Sequence, residues 1–201
     1  DGLKKVRGPD IFGADEAPAD ALVLRAVRSP YHRAAFSFGD IDAFLARHPG
    51  IVRVFTAKDV PGENCYGVIP PFADQPVFAE TEARFRGEAV AAVVGEAGAM
   101  AALDLSDFPV TWQELSANTT IDAAIAEDAP LVHATRAGNI LVGGRVVRGD
   151  VEAALAEADV VVDGEFETGF VEHAYIEPEA GHAFMDGDVL VIKACTQAPV
   201  M

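Results

Sequence analysis

Glu88-Ala89-Val90-Ala91-Ala92-Val93-Val94 decides the fold. It is a short run of small and β-branched apolar side chains with no polar alternation, which reads as a buried strand. Downstream, Ala97 to Leu105 is Ala-rich and predicts a helix. Phe108 to Leu115 alternates Phe, Val and Trp112 with polar residues and predicts another strand, and Thr119 or Thr120 starts a short helix through Ala126. Upstream, Leu22 to Arg28 is a strand that stops at Ser29-Pro30, and Ala34 to Phe38 is a second. Asp40 caps a helix over 41–47 whose apolar positions 41, 44 and 45 share a face, and His48-Pro49-Gly50 ends it. Ile51 to Phe55 is a strand with Val52 and Val54 expected on one side. From Lys58 to Ala79 the pattern breaks at Pro61, Gly62, Gly67, Pro70, Pro71 and Pro76. An irregular stretch of about 20 residues inside a domain is often functional. Strands alternating with short helices indicate an α/β or α+β class.

Periodicity is lost over Glu127 to Arg148, which holds Pro130, His133 and glycines 138, 143 and 144, so a linker is expected there. The glycine-rich run 143–149 is neither a GxGxxG nor a P-loop and reads as a plain connection. A second unit begins at Gly149-Asp150. Asp150 caps a helix over 151–157, with Glu152 in its first turn. A strand over 160–168, the stretch Gly169 to Phe184, a turn at Asp186-Gly187-Asp188 and a strand over 189–195 follow. The opening Asp1-Gly2-Leu3 has no apolar signal core. The closing Ala198-Pro199-Val200-Met201 directly follows an apolar run, so a piece of a longer chain is expected.

The 201 residues carry 15 Lys plus Arg against 32 Asp plus Glu, a net charge of −17. That balance repels phosphate backbones and argues against nucleic acid. The longest apolar run, Ala89 to Val94, is far short of the roughly 18 residues that suggest a membrane span. The hydrophobic fraction of 50% is too high for disorder and allows a real core. Cys65 and Cys195 make no disulfide framework and fit a reducing, cytoplasmic setting.

The densest polar cluster is Glu172, His173, Glu177, Glu179 and His182. His173 and Glu177 are four apart and on a helix would share a metal-binding face. Pro178 and Gly181 oppose a regular helix, and no third ligand is defined. Turn residues, a metal site and the wall of a larger active site all stay open. Cys195, at a strand end without a demonstrable His partner, reads as a buried small apolar residue. His32, His48 and His133 stand beside turn residues, where surface or capping roles are expected.

The ordered motifs are Lys5-Val6-Arg7-Gly8; Val27-Arg28-Ser29-Pro30 with His32; Asp40-Ile41-Asp42; His48-Pro49-Gly50-Ile51-Val52; Phe55-Thr56-Ala57-Lys58-Asp59-Val60-Pro61-Gly62; and Asp74-Gln75-Pro76-Val77. After them come Arg84-Phe85-Arg86-Gly87-Glu88 running into the buried strand, Gly138-Asn139, Gly149-Asp150-Val151-Glu152, His173-Ala174-Tyr175-Ile176-Glu177-Pro178 and Thr196-Gln197-Ala198-Pro199. Together they resemble the large, molybdopterin-binding subunit of the molybdenum hydroxylases, the xanthine dehydrogenase and aldehyde oxidase group. The resemblance implies an α+β fold: an α/β-hammerhead domain over 1–126, a linker over 127–148, and the first elements of a molybdopterin-binding domain over 149–201.

The resemblance also implies an oxidoreductase that hydroxylates an aldehyde or N-heterocycle with oxygen from water. Its molybdenum is held by a pterin dithiolene rather than by side chains, so the His173–Glu177 motif becomes scaffolding and no metal ligand is assigned. Gln197 matches the glutamine that hydrogen-bonds an oxygen ligand of molybdenum, and it is the cofactor-binding residue expected here. The glycine-rich cofactor loop and the glutamate general base are expected beyond Met201, which leaves no catalytic residue in this chain and no cofactor bound to it alone. The 2Fe-2S clusters and FAD are expected in partner domains or subunits. Glu172 stands where many members have Gln, and Trp112-Gln113-Glu114-Leu115 replaces a commoner Tyr-Glu pair. A competing reading is a non-catalytic hammerhead module for assembly with iron–sulfur and flavin subunits, contacting them through 58–79. A small metal hydrolase using His173, Glu177 and His182 is disfavoured by ligand spacing.

Overall fold

The computed structural model describes residues 2–196 except 9–11, 14, 71, 170, 176 and 178, with residue 5 as backbone alone. Its elements in chain order are α1 (Gly2–Arg7), β1 (Val23–Arg28), β2 (Ala34–Phe38), α2 (Ile41–Arg47), β3 (Ile51–Thr56), β4 (Glu82–Ala83), β5 (Ala89–Gly95), α3 (Ala97–Ala102), β6 (Val110–Glu114), α4 (Ile121–Ile125), α5 (Val151–Glu157), β7 (Gly181–Asp186) and β8 (Val189–Ala194).

The expected buried strand is β5, the centre of an antiparallel sheet in the order β1-β5-β3. Val90, Ala91, Ala92 and Val93 are each at most 1% exposed. Consecutive strand residues point to opposite faces, so both faces of β5 are covered. At its entry, Ser29 N–H donates to Glu88 O (2.9 Å), Gly87 N–H to Ser29 O (2.8 Å) and Arg28 Nη1 to Gly87 O (2.8 Å). The buried Glu88 carboxylate accepts the Arg84 backbone N–H. Two motifs more than fifty residues apart thus close one corner. At the exit, a Cβ on Gly95 would lie 2.7 Å from Gly50 O and 3.0 Å from Ile51 Cα, so only glycine fits.

A second antiparallel sheet has the order β4-β2-β6. A chain of ring contacts crosses it and reaches α2: Tyr31–Trp112, Trp112–Phe36, Phe36–Phe38, Phe38–Phe108, Phe108–Phe44 and Phe44–His48, with centroids 4.6–6.2 Å apart. Every residue of the buried apolar cluster lies between Val27 and Phe108. One core therefore belongs to the first part of the chain.

Local signals explain the helices. Asp40 Oδ1 accepts Ala43 N–H at 2.8 Å and starts α2. His48 is its C-cap, as its place beside Pro49-Gly50 suggested. The helix expected over 97–105 stops at Ala102 because Asp104 starts a separate turn over Leu105–Asp107 by accepting Ser106 N–H (2.9 Å). That bond holds the Asp104 carboxyl below the usual carboxylate value. Arg25 Nη1 donates to Met100 O and Leu103 O, both at 2.9 Å, and satisfies carbonyls at the end of α3.

Two expectations need correction. Val52 and Val54 do not share a face: Val52 is 58% exposed and Val54 is buried. The β3–β5 register shifts between Ile51 and Arg53, and the bulge turns Val52 outward. Residues 160–168 form no strand. No neighbouring strand pairs with them among the described residues, and an unpaired strand leaves its backbone groups without ladder partners. Conversely, β4 and β7 carry no strand signal strong enough to read locally. No helix among the described residues is long and apolar enough to cross a membrane.

β3 ends in a capping box. Asp59 Oδ2 accepts Thr56 N–H (2.9 Å) and Thr56 Oγ1–H (3.0 Å), and its Oδ1 accepts from Arg53 Nη2 (3.4 Å). The backbone hydrogen bond from Thr56 is the main cause holding the Asp59 carboxyl below its ordinary value, against a smaller desolvation effect.

Phe44→Ala is expected to destabilise the protein by about 3–5 kcal/mol in denaturant titrations, because Phe44 on α2 is fully buried against Phe108. Val52→Ala should stay within about 0.5 kcal/mol. Asp59→Ala should cost about 1 kcal/mol at neutral pH. A lowered folded value means that this stabilisation is present above the ordinary 3.8 and is lost as pH falls through the folded value. Parent and variant melting curves should therefore converge in acid.

Candidate functional site

The second unit leads to the site expected at Gln197. Asp150 Oδ1 accepts Ala153 N–H (3.1 Å) and caps α5 as expected. β7 and β8 form a hairpin closed by Gly187-Asp188, with Asp186 opposite Val189 and Gly181 opposite Ala194. Gly187 at φ 59° is the glycine that a two-residue loop needs at its first position. β8 runs straight into Cys195 and Thr196. Gln197 itself lies outside the described residues.

Cys195 is half-buried, and its role is more specific than filler. Its N–H donates to Ala180 O (3.2 Å), and its Sγ accepts the Ala180 N–H (3.3 Å). The thiol thus extends the hairpin by one polar step beyond β8 and fixes the chain just before Thr196. Cys65 and Cys195 are not joined by a disulfide.

The polar cluster does not converge. His173 stacks on Tyr175 with centroids 5.3 Å apart, and both are exposed. The Glu172 carboxylate accepts Ala174 N–H, a local turn contact. Glu177 Oε1 accepts Gly13 N–H at 2.8 Å, tying the second unit to the N-terminal segment. Lys193 Nζ to Glu16 Oε2 (3.1 Å) is a second tie to that segment. His182 stacks on Phe184 at 5.9 Å, and its Nδ1 is buried without a hydrogen-bond partner among the described residues. Glu179 is exposed. Among the described residues no group of three His, Cys, Asp or Glu side chains could hold a metal ion. Glu177 is therefore a tether, and the partner that defines its role lies 164 residues away, where no local signal reaches.

The linker is more ordered than its composition suggests. Asn139 Oδ1 accepts Val132 N–H (2.8 Å), and its Nδ2 donates to Ala124 O (2.8 Å) and Pro130 O (3.2 Å). Asn139 holds φ 57°, a left-handed conformation that Asn tolerates. Asn118 Nδ2 donates to Pro130 O (2.8 Å) and Arg84 Nε to Val132 O (3.1 Å). Arg136 pairs with Asp74 (2.8 Å) and lies over the Phe72 ring (5.3 Å). Arg136 thus binds this segment to the long loop, while Arg84 and Asn118 bind it to the first unit. That loop is itself pinned by Asn64, which exchanges hydrogen bonds with Phe78 O (2.8 Å) and Phe78 N (3.2 Å), and by the Tyr66–Gln75 bridge.

Comparison with known proteins places this geometry. The family model described as "Aldehyde oxidase and xanthine dehydrogenase, a/b hammerhead domain" matches residues 7–116. The model described as "Molybdopterin cofactor-binding domain" matches 132–201. The chain is 30% identical over 200 residues to the large molybdopterin subunit of nicotinate dehydrogenase from Eubacterium barkeri, covering 99% of this chain and 46% of that protein. Among solved structures it resembles an aldehyde oxidoreductase from Desulfovibrio gigas, with TM-score 0.82 and 30% identity, covering 96% of this chain and 22% of that one. It also resembles quinoline 2-oxidoreductase from Pseudomonas putida 86, with TM-score 0.80 and 28% identity, covering 98% and 26%. The chain thus spans half or less of the length of each of these proteins.

Glu177→Ala should speed hydrogen exchange at the Gly13 amide by about tenfold or more, the scale of a lost hydrogen bond to a charged group. The β5 amides should keep their protection, because the core contains neither Glu177 nor Gly13. Equal loss of protection in both places would contradict a local tether.

Proposed function

The chain belongs to the aldehyde oxidase and xanthine dehydrogenase family, and on that footing we propose that it works within a large subunit that hydroxylates an aldehyde or an N-heterocycle with water-derived oxygen. The observation that carries the proposal is the order of the two domain matches, with the β7–β8 hairpin leading to Thr196-Gln197 at the far end. The division proposed is a hammerhead over 1–126, a linker over 127–148, and the beginning of the molybdopterin-binding domain over 149–201; the buried cluster within 27–108 supports a first unit with its own core.

The donor chemistry fits a cofactor that brings its own metal ligands. Glu177 is already engaged by a backbone N–H, His173 and His182 are stacked on neighbouring rings, and the residue offered at the hairpin end is a neutral amide. When bound, the molybdenum–pterin cofactor supplies the redox centre. Gln197 is the residue that would hold a ligand of that centre by hydrogen bonding, and its amide would add no charge. Cys195 and Ala180 hold the backbone at the end of the hairpin, two residues before Gln197 in the sequence. Turnover is not expected from this chain alone. In the assembled enzyme 2Fe-2S clusters and FAD in partner domains or subunits would supply the path for electrons, and a reducing, cytoplasmic compartment suits both thiols.

The test is made on the assembled enzyme. It should contain stoichiometric molybdenum and pterin, reduce an electron-accepting dye with an aldehyde or N-heterocycle, and place oxygen from labelled water in the product. Gln197→Ala should lower kcat by about 10- to 100-fold, the range for lost outer-shell partners, with molybdenum content retained. A complex that assembles with iron–sulfur and flavin partners but holds no molybdopterin would reject the catalytic reading in favour of an assembly module.

A further inference from the structure

A cavity of about 100 Å³ lies at the seam between the hammerhead and the linker, lined by His32, Arg33, Arg84, Ser116, Asn118 and the apolar Val132, with Pro130 beside it. In a chain of net charge −17, no Asp or Glu lines this cavity. Arg33 is compensated by Glu82 (Nε to Oε1, 2.8 Å) and donates to Ser116 O (3.3 Å). Arg84 is different. It is half-buried, its Nε is used by Val132 O, and among the described residues no carboxylate lies within salt-bridge distance of its guanidinium. Arg84 also lines a neighbouring polar cavity with Asp74, Glu80 and Glu82, but none of these carboxylates lies within ion-pair distance of it, so its remaining N–H groups can serve an anion in the first cavity, where no carboxylate competes.

We propose that this cavity is a binding site for one compact tetrahedral oxyanion, inorganic phosphate or a terminal phosphoryl group. A cavity of about 100 Å³ accommodates a compact anion. Donor-bearing side chains come from three separate segments, at 32–33, 84 and 116–118, which suits a four-oxygen anion better than a planar carboxylate. Arg84 supplies the charge and the fork geometry. Pro130 and Val132 belong to the linker, and Arg84 and Asn118 hold their carbonyls, so the cavity exists only while the linker is docked. Binding therefore favours the docked linker by linkage, and a docked linker raises affinity by the same factor. The site is independent of the molybdenum reading.

The experiment titrates the full chain with inorganic phosphate at constant ionic strength by calorimetry, with sodium acetate and sodium chloride as parallel arms. Saturable phosphate binding is expected, with hydrogen exchange at 131–139 slowed on binding. Arg84→Gln should raise the Kd by about tenfold or more. His32→Ala should raise it by a smaller factor, and because His32 is exposed this variant should fold normally if Arg84→Gln does not. Absence of saturable binding, or binding that both variants keep unchanged, would overturn the site. Acetate binding as tightly as phosphate would overturn the tetrahedral assignment.

Discussion

The fold depends on β5 being covered on both faces. An antiparallel sheet usually leaves one face to water and reads as alternating sequence. Here four consecutive residues, Val90 to Val93, are essentially inaccessible, so material must lie both above and below the strand. Small and β-branched side chains permit this, since each occupies little depth and loses little rotamer freedom on burial. Several other features follow. Gly95 must be a glycine because the Gly50–Ile51 backbone closes over the strand's end. Arg25 must cap α3 because that helix packs against β1 and β5 and cannot expose its last carbonyls on that side.

The elements around β5 were legible because each carries its own local signal. Asp40, Thr120 and Asp150 start helices by accepting a backbone N–H three residues on, a rule readable from sequence alone. What failed was whatever depends on a partner. Val52 obeys alternation until the pairing with β5 slips by one residue. Residues 160–168 have strand composition but no neighbouring strand. β4 has only two residues and exists because Ala34 and Ala35 pair with it.

The site was legible to a different degree. Gln197 was expected from the ordered motifs alone and lies outside the described residues, whereas the stretch from Ala180 to Cys195 that precedes it is described. The His173–Glu177 spacing pointed toward a metal only while a helix was assumed. Without the helix, the two side chains serve an exposed ring stack and a tether to Gly13. Gly138-Asn139 stood among the ordered motifs without a role, because the three hydrogen bonds that define its structural one reach back to 124, 130 and 132, a pattern no local period spans.

The two parts of the chain are stabilised by different physics. From Val27 to Phe108 burial dominates, and the ring chain from Tyr31 to His48 adds directional contacts within it. Beyond the linker the buried apolar cluster contributes nothing among the described residues, and position is set by polar ties: Glu177 to Gly13, Lys193 to Glu16, and Cys195 to Ala180. An exposed ion pair such as Lys193–Glu16 is worth little by itself. A carboxylate receiving a part-buried backbone N–H is worth more, because breaking it strands a donor. Glu177 is therefore the contact on which the placement of the hairpin relative to the N-terminal segment chiefly rests. The hairpin in turn carries Cys195 and Thr196, so the placement of these two residues depends on a hydrogen bond made to the other end of the sequence.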